Sequence, residues 1–263
     1  MAHKIKFSAV YLYVLLFVIV LLHGTGLIKK AYNYKEPDFG YTKKEIILRS
    51  DPLRLVFSNG YIAIHCWRLQ LTEDSGLACF FDVKGVAYAT FKAIWRIEKI
   101  GPDSLSAICE WPDLPIKQNW RFLLKEGKLE WQVYLESSEN IAINHIGLVF
   151  SFKNNYREWT SSSKQGKMPV LEALEQRQNV VTPVGLNAVG LSVRGQDARF
   201  FPVLGLSLGK GTFLNEILLS TCRDMFTSVA FSSVSISGDE SLKMLKNSKV
   251  LLSSGEIKLL NER

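Results

Sequence analysis

The sequence predicts an all-β domain, a sandwich or barrel, behind a single N-terminal transmembrane helix. Three observations carry this reading. An uncharged apolar run opens the chain, hydrophobic residues recur with a period of two from Leu53 onward, and turn-forming clusters fall between many of the alternating runs. The 263 residues are 47% apolar, enough for one sizeable core, and wholesale disorder is excluded.

The uncharged stretch runs from Phe7 to Ile28. At about 1.5 Å per helical residue it reaches roughly 33 Å, and a bilayer's hydrocarbon core is roughly 30 Å thick. Only HGTG follows the run, with no small-residue cleavage site and no lipidation cysteine, so the segment is expected to remain as an anchor. Residues 1–6 form a short tail, and residues 29–52 read as a basic tether carrying Lys29, Lys30, Lys35, Lys43, Lys44 and Arg49. A basic cluster beside an apolar span fits anionic headgroups, which makes nucleic acid the poorer partner for a chain of net charge +7. The usual signal-anchor arrangement places the domain outside the cytoplasm, although the lysines after the span pull the other way.

The domain is expected to occupy residues 53–263. In KLEWQVYLE, Leu129, Trp131, Val133 and Leu135 alternate with Glu130, Gln132, Tyr134 and Glu136. Trp120, Phe122 and Leu124 alternate in the preceding run, and Glu126-Gly127 between them predicts a tight hairpin. In YIAIHCWRLQL the apolar parity passes from Ile62, Ile64 and Cys66 to Trp67, Leu69 and Leu71, which predicts a bulge or bend. Further strands are expected in AIWRIEKI, SLSAICEW, HIGLVFSF, VGLNAVGLSV, FFPVLGLSL and GEIKLL. FLNEILLSTCRDMF is read as strand by its neighbours. TSSSKQGKM reads as a polar loop, and PVLEALEQRQ as a short helix opened by its proline.

Several chemistries are excluded or unsupported. Gly205-Leu206-Ser207-Leu208-Gly209 matches a nucleophile elbow, but no histidine follows it in the chain. Gly209-Lys210-Gly211-Thr212 lacks the first glycine of a phosphate loop. Cys66, Cys79, Cys109 and Cys222 lack metal-ligand spacing and read as small buried thiols, with a disulfide open to a domain outside the cytoplasm. The domain holds two histidines, His65 and His145, too few for a three-histidine site; a mixed site with carboxylates stays open but no spacing supports it, and no metal or cofactor is expected.

The tryptophans remain. Trp95, Trp111, Trp120, Trp131 and Trp159 are interleaved with polar residues, a composition suited to a carbohydrate groove but equally to a sandwich core. Trp131 lies on an apolar strand face. Trp111 and Trp120 continue apolar parities on either side of Pro112 and Pro115, so CEWPDLPIKQNWRF is read as a corner between strands. Sugar contacts there are expected from Glu110, Gln118 and Arg121. Trp159, at a strand end in NNYREWTSS, is the tryptophan expected to be exposed.

NGYIAIHCWRL, CEWPDLPIKQNWRFLLKEGKLEWQVYLE, YREW and the closing SSGEIKLL together resemble the β-supersandwich domains of the galactose-mutarotase-like group, over roughly residues 53–261. The resemblance implies an antiparallel two-layer supersandwich with a saccharide-binding concave face. Epimerases of the group pair two histidines with a glutamate, and neither His65 nor His145 stands in a matching context. The expected function is a membrane-anchored carbohydrate-interacting domain in cell-envelope polysaccharide assembly, modification or recognition. The expected contacts are Glu110, Gln118, Arg121, His145, Arg157, Glu158 and Trp159. A lyase or epimerase would draw on His145, Tyr156, Arg157 or Glu158. A partner-binding sandwich without a sugar ligand is the third reading.

Overall fold

The computed structural model describes residues 45–58, 60–173, 175–180, 186–223, 229–238 and 241–260. The expected anchor, residues 7–28, lies outside them, and no helix among the described residues is long and apolar enough to cross a membrane.

The chain opens with β1 (Ile46–Ser50), β2 (Leu53–Ser58), β3 (Tyr61–Cys66), β4 (Leu69–Gln70), β5 (Thr72–Val83) and β6 (Val86–Ala89). A meander follows, of β7 (Ile94–Ile100), β8 (Ser104–Glu110), β9 (Ile116–Lys125) and β10 (Lys128–Ser137). Next come β11 (Ile141–Phe152), β12 (Tyr156–Thr160), β13 (Gln165–Lys167), β14 (Arg177–Asn179), β15 (Ala188–Val193) and β16 (Val203–Leu208). The last strands are β17 (Glu216–Arg223), β18 (Ala230–Ser237), β19 (Leu242–Met244) and β20 (Lys249–Leu260).

These strands form two sheets. One has eleven strands in the order β1-β2-β3-β5-β11-β18-β17-β14, with β4, β6 and β19 pairing at its sides. The other has nine, ordered β13-β12-β15-β16-β20-β10-β9-β8-β7. Pairing is antiparallel except for the single bridge between β3 and β5.

Alternation along each strand decides which side chains meet between the sheets. On β10, Leu129, Trp131, Val133 and Leu135 are each no more than 1% exposed, and Trp120, Phe122 and Leu124 on β9 no more than 2%. Trp131 meets Phe150 of the opposite sheet edge-on, ring centroids 5.1 Å apart, and Phe57 meets Trp95 at the same distance. Each fully buried aromatic of this kind contributes on the order of 1.5–3 kcal/mol. The Glu126-Gly127 hairpin forms as expected: both residues have positive φ (54° and 67°), the backbone that a two-residue turn with the twist of its strands needs.

Of the bulge or bend expected after Cys66 the structure has the bend, as a full chain reversal: Trp67 and Arg68 form the turn between β3 and β4, with Trp67 at φ 53° and 63% exposed. Three local expectations are corrected. TSSSKQGKM closes a hairpin, since Gln165–Lys167 pairs with β12. No helix forms among the described residues of PVLEALEQRQ. Val170 is 76% exposed, so there is no apolar face to bury, and Arg177–Asn179 instead pairs with β17. The tether region, residues 29–52, supplies β1, which pairs with β2 at one end of the larger sheet.

Candidate functional site

The nine-stranded sheet has one face closed by the core and one polar face. Side chains of the polar face come from the residues between the core positions: Lys117, Asn119 and Arg121 on β9, and Glu130, Gln132, Tyr134 and Glu136 on β10. β20 lies on the other side of β10 and adds Lys249, Ser254, Glu256 and Lys258. Tyr134 stands in the middle. The Arg121 guanidinium carbon is 5.4 Å from its ring centroid and the Lys249 ammonium 4.8 Å.

Two depressions flank it. One, of about 760 Å³, is bordered by Ser106, Arg121, Glu130, Gln132, Ser254 and Glu256. The other, of about 800 Å³, includes Glu110, Lys117, Glu136 and Lys249. Both fall in the size range of small-molecule sites.

The carboxylates are held by lysines. Glu136 pairs with Lys249 at 2.6 Å and Lys117 at 3.1 Å, and accepts a hydrogen bond from Asn119 Nδ2 at 2.7 Å. The Lys249 hydrogen bond is the main cause that holds the Glu136 carboxyl below the usual carboxylate range, with Lys117 adding to it. Lys128 bridges Glu130 (2.7 Å) and Glu256 (3.1 Å), and Glu256 is lowered chiefly by that hydrogen bond. Reciprocally, the Lys128 ammonium is pushed up to about 12. Ionised carboxylates only accept hydrogen bonds, which suits them to sugar hydroxyls and not to proton donation near neutrality.

The expected contacts fall in different places. Arg121 and Glu110 are exposed on the polar face, with Glu110 opposite Lys117. Glu158 shares that face but sits on β12, with four strands between it and β9, about 24 Å at the usual strand spacing. It pairs with Arg194 at 3.7 Å. Arg157 is exposed, and its Nε donates to the Asn154 carbonyl at 3.0 Å. His145 belongs to the other sheet, exposed at an irregularity of β11 where its φ is 48°.

Gln118 and Trp159 are corrections. Gln118 has the parity of Trp120 and is fully buried, accepting the Trp120 indole N–H at 3.0 Å and donating to Cys79 Sγ at 3.2 Å. Trp159 is 4% exposed and lies under Gly166 of the neighbouring strand, so it is core and not platform. Tyr156 is likewise fully buried, its hydroxyl donating to the Pro202 carbonyl at 3.1 Å, and burial pushes its phenol well above the ordinary value. His65, on β3, is lowered by burial and then by Arg54, its cross-strand neighbour. Both described histidines therefore lie in the eleven-stranded sheet, away from the polar face.

Ser207 sits within β16 as an ordinary strand residue opposite Glu256. Among the described residues no group of three or more His, Cys, Asp or Glu is placed to hold a metal. Asn119, Gln132, Tyr134, Glu136 and Glu256 were not anticipated as site residues. For Gln132, Tyr134 and Glu136 the signal was the polar half of the KLEWQVYLE alternation, and for Asn119 that of the strand before it; the position of Glu256 beside them on β20 had none.

No protein-family model matches the sequence, and no curated protein matches it at a significant level. Solved structures do match in fold. A galactose mutarotase related enzyme from Lactobacillus acidophilus superposes with a TM-score of 0.55 at 8% identity, over 83% of this chain and 98% of that one. A galactose mutarotase-like protein from Lactobacillus casei ATCC 334 gives 0.56 at 7% identity, over 82% and 100%. The GH36 α-galactosidase AgaA of Geobacillus stearothermophilus, solved in complex with stachyose, gives 0.54 at 10% identity, over 83% of this chain and 41% of that enzyme. At these identities the likeness is one of fold: the chain has the galactose-mutarotase-like β-supersandwich.

Proposed function

We propose that this protein is a membrane-anchored, carbohydrate-interacting protein acting in assembly, modification or recognition of a cell-envelope polysaccharide. The observation that carries the reading is the polar face of the nine-stranded sheet. It gathers ionised carboxylates, amides, cations and Tyr134 between two depressions, while its opposite face is sealed by the core. Such groups hydrogen-bond hydroxyls and present one ring beside them, as saccharide recognition requires. Sugar-acting proteins among the fold's neighbours, one of them with a bound oligosaccharide, support the same reading.

Anchoring rests on the apolar run Phe7–Ile28 and the lysines after it, with the domain outside the cytoplasm. A lyase or epimerase on this fold is the alternative. A two-histidine acid–base pair would have to reach this face from elsewhere, and Glu136 and Glu256 are tuned as acceptors. The test is a glycan array probed with the full-length chain in detergent micelles, each hit then being incubated to look for turnover. Binding that is lost in Tyr134→Ala supports recognition, and turnover of a hit supports the enzyme. Absence of binding to every acidic and neutral glycan overturns the sugar reading in favour of a partner-binding sandwich. Retention in the membrane fraction after an alkaline carbonate wash, lost on deleting residues 7–28, tests the anchor.

A further inference from the structure

Every lysine that contacts a carboxylate on the polar face is already satisfied by it: Lys117 and Lys249 by Glu136, Lys128 by Glu130 and Glu256, and Lys258 by Glu256 at 3.4 Å. Arg121 is different. Among the described residues it has no carboxylate within ion-pair distance, and its guanidinium lies over the Tyr134 ring, 5.4 Å from the centroid. The guanidinium is thus a cation without a carboxylate partner, between a Glu130–Glu256 cluster that Lys128 and Lys258 neutralise and Glu136, which Lys117 and Lys249 share. Glu98 also borders this depression, accepting a hydrogen bond from Ser106 at 3.4 Å, and so does Lys99.

The register fixes what surrounds it. Ser106 of β8 and Gln132 of β10 are the direct cross-strand partners of Arg121, and Ser254 of β20 is opposite Gln132. A hydroxyl, a planar fork of donors, an amide and a second hydroxyl therefore follow one another across four strands at about 4.8 Å spacing, a row of roughly 14 Å that matches the length of a short oligosaccharide. Stacking on an aromatic ring holds a guanidinium flat, and a flat fork matches the two oxygens of a carboxylate.

Resting on the saccharide reading above, we infer that this depression recognises an acidic saccharide through a hexuronate unit. The uronate carboxylate is received by Arg121 on its Tyr134 support, and the hydroxyls of that unit and of its neighbours in the chain by Gln132, Ser106 and Ser254. The neutral sugar surface alone would need no such cation. Lys117, Lys128, Lys249 and Lys258 are each already engaged with a carboxylate.

The test is equilibrium binding of the full-length chain to hexamers of galacturonate, glucuronate-containing hyaluronan and mannuronate, each beside its methyl ester. A sulfated, uronate-free galactan hexamer is the control. At least one acid form should bind about tenfold or more tightly than its ester, which corresponds to about 1.4 kcal/mol. Arg121→Met should bring acid and ester together without changing the melting temperature, and Arg121→Lys, which keeps the charge but not the fork, should recover part of the difference. Equal affinity for acid and ester in every pair overturns the inference and leaves neutral saccharide recognition standing; a preference that survives in Arg121→Met overturns the assignment of the carboxylate to Arg121. Equal affinity for the sulfated hexamer replaces the carboxylate by a general anion. No binding to any saccharide overturns both this inference and the reading on which it rests.

Discussion

Gln118 accepts the indole N–H of Trp120 at 3.0 Å, two positions along the same strand and on the same inward face. The amide also donates to Cys79 on the opposite sheet and lies near the Cys109 thiol, so one polar side chain joins the two layers inside the core. Burial pushes the Cys79 thiol up to about 12, which keeps it protonated. Gln118→Ala should remove the indole's acceptor and leave a cavity, destabilising the domain by about 2–4 kcal/mol. Chemical denaturation reads the loss, and saccharide affinity measured on the folded fraction should be unchanged because the residue faces away from the polar side.

Glu136 gives a pH signature. Its folded-state carboxyl is depressed by Lys249 and then Lys117, so its contribution to stability is complete above the unfolded-state pKa, about 4.3, and is lost as the pH falls through the lower folded value. Glu136→Gln should lower the denaturation midpoint relative to the natural chain at pH 6. The gap should narrow as pH falls below about 4. A gap that stays constant down to pH 2 would show that the ion pairs contribute no linkage.

Trp67 is a turn residue with φ 53°, its backbone N–H donating to the Pro52 carbonyl at 2.8 Å and its carbonyl accepting from the Arg54 guanidinium. These bonds use main-chain atoms, and the side chain is 63% exposed. Trp67→Gly, which removes the cost of a left-handed backbone, should keep or raise stability by up to about 1 kcal/mol. A loss above about 2 kcal/mol would show that the indole packs.

Gly255 lies where β20 crosses Trp131: a Cβ there would overlap the indole and the Ser207 carbonyl. Gly255→Ala should cost about 1–3 kcal/mol or more, because the backbone oxygen cannot rotate away. Gly85→Ala, at a turn glycine whose Cβ would meet nothing, is the control for positive φ without crowding.

These residues also mark what could be read from the chain alone. The β9–β10 hairpin was legible because Glu126-Gly127 demands a two-residue turn and both flanking strands alternate cleanly. Trp111, Trp120 and Trp131 were legible as core by parity. Gln118 shares Trp120's parity, so its burial was legible too, but its amide drew it toward the surface; only Cys79 of the other sheet and the cross-strand neighbour Cys109 explain why an amide is tolerated there. Trp159 was misplaced because what covers it, Gly166, arrives through a hairpin in a stretch that reads as loop. The polar half of β10 was visible, whereas its pairing with β20 joins residues as far apart as Trp131 and Ser253, whose side chains are hydrogen-bonded at 3.2 Å. Local pattern carries no information about a neighbour brought in over 122 positions.

The measurement that bears most directly on the polar face as the ligand surface is hydrogen–deuterium exchange of the full-length chain with and without the strongest glycan-array hit. Added protection should concentrate on β9, β10 and β20, in peptides containing Arg121, Gln132 and Glu256. Protection confined to the eleven-stranded sheet, around His65 or His145, would contradict it.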